Sequence, residues 1–194
     1  MNLALLVASR TLVAAALLSS TAALHAADLR SVSVDQTDNR YHLVSEAWFD
    51  AKREDLYRVL TNYDEFHRFT SAFVDTRNVE VDGEGRPQFY TRMEGCLLWF
   101  CKSFVRNGYL VEERPHEVVA MSLPEQSDFN YSRERWSLKD EDGGTLMTYD
   151  FEMEPSFWVP PVIGPFIIKR TLRAGGVDAI DRIEAIAQGK EPKK

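Results

Sequence analysis

The spacing of apolar residues changes several times along the chain, and these changes divide it into strands and helices. Arg40 to Asp50 alternates loosely between apolar and polar positions, which indicates a strand, and Leu29 to Val34 is consistent with a shorter strand before it. From Lys52 to Tyr63 the apolar residues recur at helical spacing, and a second short helix is predicted over Asp64 to Phe69. Alternation then returns in further segments separated by turn residues: Val74–Val81, Phe89–Glu94, Ser103–Glu112, Glu117–Leu123, Tyr131–Leu138 and Thr145–Glu154.

A Pro-rich passage from Pro155 to Pro165 precedes a long helix, which the pattern predicts from about Phe166 to Gln188. A helical wheel places one set of small and apolar residues on a single side of this helix: Ile168, Leu172, Gly176, Ala179, Ile180, Ile183 and Ala187. Antiparallel strands leave one apolar face that another element must cover. The order of elements therefore predicts an α+β fold in which the last helix packs on an antiparallel sheet.

Gly176 has three interpretations. It lies on the predicted buried side of the long helix, next to Gly175, where a glycine costs about 1 kcal/mol relative to alanine. The absent side chain would let the helix approach the sheet closely, or leave room for a cavity, or mark a kink. The sequence keeps all three open.

The only two cysteines, Cys96 and Cys101, flank four consecutive large apolar residues, Leu97, Leu98, Trp99 and Phe100. Strands on either side predict a β-hairpin with an apolar tip. If a two-residue turn lies at Leu98 and Trp99, the cysteines face each other at a spacing that suits a disulfide. An apolar tip of this size packs on the protein, makes transient contact with a membrane or covers a pocket.

The same register assigns the hairpin side chains to two faces. One face carries Phe89, Thr91, Met93, Phe104, Arg106, Gly108 and Leu110, and it is the more apolar one, so we expect it to face the helix. Arg106 is its one charged member, and a buried charge is costly without a partner. Two interpretations stay open: Arg106 pairs with a core acid or reaches the sheet edge, or it meets a carboxylate or polar head of a ligand.

The last predicted strand adds a second apolar wall. Met147, Tyr149, Phe151 and Met153 alternate with more polar neighbours, so we expect this set to face inward. Tyr149 would place one hydroxyl on an otherwise apolar surface, which is typical of ligand pockets. Each of these residues could equally belong to the ordinary core.

The N-terminus and the charge restrict the compartment and the partners. Residues 1–26 hold an apolar run from Leu12 to Leu24 with Arg10 as the single charge, which predicts a signal peptide cleaved after Ala26 or nearby and export to the periplasm, with a retained membrane anchor as the alternative. The net charge is −7, which argues against nucleic acid as a partner. We expect residues 27–189 to form one domain and residues 190–194 a short polar tail. The sequence predicts no oligomeric state.

Motifs of common enzymes and metal sites are missing from the sequence. There is no Gly-rich phosphate loop, no Gly-x-Ser-x-Gly and no His-Glu-x-x-His. His42, His67 and His116 are scattered without ligand spacing, so we predict no metal. The four-residue gap between the cysteines differs from the Cys-x-x-Cys redox motif. We therefore predict no cofactor and name no catalytic residue.

Three passages resemble the START-like (SRPBCC, helix-grip) superfamily, in its polyketide cyclase/dehydrase and lipid transport branch, which is related to the coenzyme-Q-binding proteins. They are Phe49 to Tyr63, the segment from Trp136 to Tyr149, and Phe157 to Pro165. The resemblance implies a helix-grip fold: a curved antiparallel sheet wrapped on a long C-terminal helix, with two short helices after the first main strand. It also implies a hydrophobic ligand between helix and sheet, lined here by Phe89, Met93, Phe104, Arg106, Tyr149, Phe151, Trp158, Leu172 and Gly176.

The resemblance favours non-catalytic binding or carriage of a hydrophobic small molecule or lipid. Two alternatives remain: a cyclase-like or dehydratase-like enzyme that uses the same pocket, and a module that docks another envelope protein through the hairpin tip. A buried acid–base pair in the pocket would favour the enzyme, whereas a fully packed interior would favour the docking module.

Overall fold

The computed structural model describes residues 27–97, 100–160 and 164–192. The predicted signal peptide, the hairpin turn at Leu98 and Trp99 and the end of the polar tail lie outside them. The elements follow in this order: β1 (Asp28–Thr37), β2 (Arg40–Phe49), α1 (Arg53–Thr61), a 3-10 helix (Tyr63–Arg68), β3 (Phe73–Val79), β4 (Gln88–Leu97), β5 (Phe100–Glu113), β6 (Glu117–Ser122), a 3-10 turn (Pro124–Gln126), β7 (Phe129–Glu141), β8 (Gly144–Pro155) and α2 (Gly164–Ala187).

The strands form one antiparallel sheet in the order β1-β2-β8-β7-β6-β5-β4-β3. α1 and the 3-10 helix follow β2, and α2 closes the chain, so the predicted helix-grip α+β fold is confirmed. The bounds of several elements differ from the sequence-based expectation, and β1 and α2 are two examples. β1 runs for ten residues where a short strand was expected, because its whole length pairs with β2, and α2 begins at Gly164, two residues before Phe166.

The β4–β5 hairpin has the register that the cysteine positions predict. Its pairs include Cys96 opposite Cys101, Thr91 opposite Arg106 and Phe89 opposite Gly108, with no shift between them. Gly108 is required at its position because a Cβ atom there would lie 2.6 Å from the Phe89 ring and 2.1 Å from a carbonyl oxygen. The face expected to be inside is inside: Phe89, Thr91, Arg106 and Leu110 are buried.

Two clusters of buried residues form the core. The larger joins α1, the 3-10 helix and the C-terminal end of α2 to the middle of the sheet, and it includes Leu60, Tyr63, Trp136 and Ile183. The smaller lies on β1, β2, β7 and β8, and its buried members are Val34, Tyr41, Leu43, Phe129, Phe151 and Met153. Ile168 and Leu172 of α2 pack against the smaller cluster while keeping part of their surface accessible.

Candidate functional site

The two halves of α2 are packed differently. In the C-terminal half, Ile180, Ile183, Glu184, Ile186 and Ala187 are buried. Between residues 165 and 179 every residue of the helix is partly or fully exposed. The predicted buried side of α2 is therefore fully covered by the core only near the C-terminal end of the helix.

Open space lies beside Gly176. A Cβ atom added to this residue would meet no described atom within 4 Å, apart from its own neighbourhood in the helix. Gly176 is only partly buried. Close packing of helix on sheet at this glycine is wrong in the described structure. The helix is continuous through residue 176, which contradicts a helix break, whereas a kink is not tested.

The wall of the sheet that faces this half of α2 is apolar and incompletely covered. Met93, Phe104 and Tyr149 point inward yet retain accessible surface, while Phe89 and Phe151 are buried. Phe104, Tyr149 and Leu172 are among the partly buried residues next to the smaller cluster. We define the inner site as the space bounded by these inward side chains and by residues 165–179 of α2.

A buried ionic cluster lies at the base of this wall. Arg106, which is 2% exposed, holds Glu134 through an Nη1–Oε2 contact of 3.0 Å, and Glu134 is 6% exposed. The Tyr149 hydroxyl donates to the other carboxylate oxygen of Glu134 at 2.9 Å, and Arg106 Nε donates to Ser122 Oγ at 3.1 Å. Arg106 therefore has the acidic partner that one interpretation of the sequence required.

Burial and charge set the protonation states of this cluster. Burial works against the charge of Arg106, but the carboxylate of Glu134 outweighs it and raises the pKa of the guanidinium above its ordinary value. Burial, reinforced by the negative charge of Glu134, raises the pKa of Tyr149 well above its ordinary value. Tyr149 therefore stays protonated and acts as a hydrogen-bond donor, while Arg106 stays charged.

Three buried polar atoms beside the cluster have no hydrogen-bond partner within the described part of the chain. They are Arg106 Nη2, Tyr63 Oη and Thr91 Oγ1. Tyr63 belongs to the 3-10 helix, stacks on Phe89 with ring centroids 4.4 Å apart, and lies close enough to Glu134 and Arg106 for both charges to act on its pKa. Thr91 lies directly opposite Arg106 in the hairpin.

One end of the inner site is bordered by the segment before α2. Phe157 packs on Phe104 with ring centroids 4.8 Å apart, and the Lys102 ammonium lies 3.8 Å from the centroid of the Phe157 ring. These contacts join the β4–β5 hairpin to residues 156–160. Trp158 is 78% exposed, so the structure places it outside the wall that the other predicted residues form.

Most residues of the apolar wall were predicted from the sequence, but two polar residues of the site, Glu134 and Tyr63, were not. Glu134 lies on β7 between the buried Ser132 and Trp136, so the alternation along that strand marks it as inward-facing. Tyr63 was predicted only as the last residue of the helix that begins at Lys52.

The hairpin tip could not be compared with its prediction. The described part of the chain excludes the side chains of Cys96, Leu97 and Phe100 and all of Leu98 and Trp99, so the disulfide and the apolar tip stay predictions.

Two surface features lie elsewhere. On the outer face of the sheet, the ligand atoms of His42, Asp150 and Glu152 lie within 4.8 Å of one another. Arg133 donates to both carboxylates at 3.1 Å and 2.9 Å, so these acids already have cationic partners.

The second surface feature is an open cleft at the C-terminal end of α2. It is lined mostly by charged and polar side chains, including Arg58, Asn62, Glu65, Arg68, Lys190 and Glu191.

The described residues contain no helix that is both long and apolar enough to span a membrane. No protein of curated function matches the chain.

Solved structures with the same fold come from both carriers and enzymes. A START superfamily protein from Mycobacterium smegmatis has a TM-score of 0.60 at 17% identity, over 76% of this chain and 97% of that one. A STAR-related lipid transfer protein from Xanthomonas axonopodis has a TM-score of 0.57 at 11% identity, over 81% and 98%. The Zhui aromatase/cyclase from Streptomyces sp. R1128 has a TM-score of 0.57 at 12% identity, over 77% and 94%. At these identities the likeness shows the fold alone.

The sequence itself matches a family over residues 49–175, from the end of β2 to the middle of α2. This stretch includes α1, most of the sheet and the N-terminal half of the long helix up to Gly175, and therefore most of the inner site, although Gly176 lies just beyond it. The chain belongs to the polyketide cyclase/dehydrase and lipid transport family, whose START-like fold is the one described above.

Proposed function

We propose that this protein binds, and carries, a hydrophobic small molecule or lipid in the inner site without transforming it. The observation that carries the proposal is the open space over Gly176, next to an apolar wall whose members Met93, Phe104 and Tyr149 keep accessible surface. Apolar side chains with few polar groups are the usual lining of ligand pockets. The incompletely packed interior supports this function over the docking alternative.

The energy for binding comes from desolvation. A ligand gains about 0.8 kcal/mol for each CH₂ group that moves from water into the apolar site. The inward surfaces of Phe104, Phe151 and Leu172 supply the apolar contacts.

We place the entrance between the hairpin and residues 156–160. Among the described residues, Phe104, Phe157 and Lys102 join these two segments through side-chain contacts, which can separate without disrupting the sheet. In this proposal the hairpin tip, with Leu97, Leu98, Trp99 and Phe100, makes transient contact with a membrane. The exposed ring of Trp158 lies on the segment that borders the same entrance.

The proposal also assigns a compartment. A signal peptide over residues 1–26 would deliver the domain, residues 27–189, to the periplasm, and an oxidising compartment permits a disulfide between Cys96 and Cys101. The directly opposed Cα positions of the two cysteines in the hairpin support this bond.

Native mass spectrometry of the protein, purified from the periplasm of its own host in a detergent that preserves complexes, tests the function. We expect a species heavier than the mature chain, and organic extraction should release one class of apolar molecule. A protein that is free of bound molecules, and that takes up none from total lipid extract of the host, would contradict the proposal.

A second candidate function rests on the Tyr149–Glu134 hydrogen bond. A tyrosine on the accessible wall, held by a buried carboxylate, is a potential proton donor of a cyclase-like enzyme. Both oxygens of Glu134 are already occupied, by Tyr149 and Arg106, which leaves this carboxylate poorly placed as a base. Incubation of the extracted molecule with wild type and Tyr149→Phe distinguishes the functions, since an enzyme converts it to a product that differs in chromatographic retention, and also in mass if water is lost, and the variant does not.

A further inference from the structure

A buried carboxylate lies where the first strand begins, far from the polar residues of the inner site along the chain. Glu184, in the C-terminal half of α2, is 6% exposed. It accepts a hydrogen bond from the backbone N–H of Asp50 at 2.7 Å and another from the backbone N–H of Ala27. Gln188, four residues later, donates its side-chain amide to the Asp50 carbonyl at 2.6 Å. The end of α2 is therefore joined to the residue that follows β2.

No ion pair joins Glu184 to a cationic side chain of the described residues. The charged side chains with the largest effect on it, Asp50 and Asp181, are both acidic. Burial, reinforced by these two charges, raises the pKa of Glu184 above its ordinary value although the two backbone donors oppose the change. A buried carboxylate beside negative charges is costly unless a cation compensates it.

The pairing of the first two strands places Ala27 beside this carboxylate. β1 pairs with β2 from Asp28 opposite Trp48 onward, so the antiparallel register brings Ala27 level with the end of β2, next to Asp50. Ala27 is partly buried and packs against the larger core cluster, to which α2 contributes. Backbone pairing and core contacts therefore hold the nitrogen of Ala27 near Glu184.

The proposed signal peptide ends at the residue before Ala27. Cleavage after Ala26 breaks the Ala26–Ala27 peptide bond with one molecule of water, which supplies the hydroxyl of the new Ala26 carboxyl group and one hydrogen for the Ala27 nitrogen. The free amine then takes a proton from solvent at neutral pH, because its ordinary pKa is about 7.7–8.0. Cleavage thus converts an amide donor at Glu184 into an α-ammonium, which carries the positive charge that this carboxylate lacks.

We propose that the chain is processed between Ala26 and Ala27 and that the new α-ammonium of Ala27 forms a buried ion pair with Glu184, which fastens β1 to α2 in the mature protein. The inference rests on the proposed export and not on ligand binding, so it goes beyond the proposed function of the inner site. It assigns Ala27 as the first residue of the mature chain, because a chain that starts at Asp28 or later has no charge at this position. A precursor, in which residue 27 keeps its amide, lacks the ion pair.

Insertion of Gly-Ser between Ala26 and Ala27 tests the ion pair in the exported protein. The inserted form keeps every side chain of the domain but moves the α-ammonium two residues away, and intact mass verifies both N-termini. We expect the unfolding equilibrium constant, from urea denaturation at pH 7, to be at least about tenfold larger in the inserted form, which corresponds to about 1.4 kcal/mol. Equal stability of the two forms, or a wild-type mature chain that does not start at Ala27, would overturn the inference and leave the proposed ligand site untouched.

Glu184→Gln completes a double-mutant cycle. An uncharged side chain at position 184 gains little from an ammonium, so the difference between the native and the inserted N-terminus should fall below about threefold. Glu125→Gln, at an exposed glutamate on the 3-10 turn, is the matched control and should keep the full difference. A full difference that persists in a folded Glu184→Gln protein would show that the N-terminus acts through another group.

The pKa of the α-amino group gives a direct readout that needs no substitution in the domain. An opposite charge stabilises the ammonium, so NMR titration of alanine-labelled wild type should place this pKa at least about one unit above the ordinary 7.7–8.0. The inserted form should titrate within the ordinary range. An ordinary or lowered α-amino pKa in wild type would refute the ion pair even if Glu184→Gln does not fold.

Discussion

At the scale of single residues, the buried Arg106–Glu134 pair shapes the interior more than any other ionic contact of the described residues. Both side chains are almost without exposure, in contrast to the exposed Arg58–Asp55 pair on α1. Two desolvated charges are costly to bury, and mutual attraction recovers that cost only while both partners are present. The pair therefore fixes the arrangement of β5 and β7 around the site without being a large net source of stability.

We predict a strong asymmetry between single and double replacement of this pair. Glu134→Leu or Arg106→Met alone should lower the free energy of unfolding by about 3–5 kcal/mol, because each leaves a buried charge unpaired. The double variant should lose much less than the sum of the two, and urea denaturation measures all three. Asp55→Ala at the exposed pair serves as the control, with an expected change of about 0–1 kcal/mol. Additive losses at Arg106 and Glu134 would show that the two side chains do not act as a pair.

The cysteines provide a second prediction at the residue scale. Cys96 and Cys101 should be disulfide-bonded in the exported protein, because their Cα atoms are directly opposed in the hairpin. The closed loop is short, so the gain in stability should fall toward the low end of about 2–4 kcal/mol. Thiol labelling of denatured, unreduced protein should find no free thiol. Two labelled cysteines per chain would refute the bond.

At the scale of elements, the difference between the two halves of α2 creates the site. Ile180, Ile183 and Ile186 anchor the C-terminal half in the core, whereas the half that contains Gly176 borders open space. A helix fixed at one end and loosely covered at the other can hold a ligand against the sheet without a rearrangement of the fold.

Gly176→Leu tests this arrangement of α2. We expect the melting temperature to hold or rise, because the added side chain enters open space and the helix gains roughly 0.8 kcal/mol of propensity. Overpacking of a tight core would instead cost about 1–3 kcal/mol. Gly175→Ala, which adds propensity without filling the site, is the matched control. A melting temperature several degrees below wild type for Gly176→Leu alone would mean that the space does not exist.

The sequence was sufficient to predict the elements and the inner face of the hairpin. Alternation of apolar and polar residues predicts which side of a strand is buried. The positions of Cys96 and Cys101 predict the register of the hairpin, so Phe89, Thr91 and Arg106 could be assigned to one face. The partner of Arg106 could not be named, because β6 separates β5 from β7 and only the strand order of the sheet brings Glu134 within reach. Gly176 stayed ambiguous because helical periodicity gives the direction of a face and not its distance from the sheet.

At the scale of the whole molecule, the acidic charge restricts the partners, and the proposed signal peptide sets the compartment. The chain carries 30 acidic and 23 basic residues, and the proposed signal over residues 1–26 contains one of the basic ones. An acidic domain with an apolar interior is suited to small apolar ligands more than to nucleic acid.

Export is the prediction that belongs to this scale. The mature protein should begin near Ala27 or Asp28, where β1 starts. Intact mass measurement of the periplasmic fraction should show the loss of about the first 26 residues, as expected for a cleaved signal. A full-length species in the membrane fraction would mean that the apolar run serves as an anchor.

The central claim, that the space between α2 and the sheet is a ligand site, is tested most directly by titration of the mature protein with N-phenyl-naphthylamine. We predict saturable binding of one probe per chain to wild type and to Ala174→Leu, whose new side chain lies on the exposed side of α2. Gly176→Leu should bind the probe at least about tenfold more weakly, because its side chain occupies the site. Probe affinity in a folded Gly176→Leu protein equal to that of wild type would contradict the account.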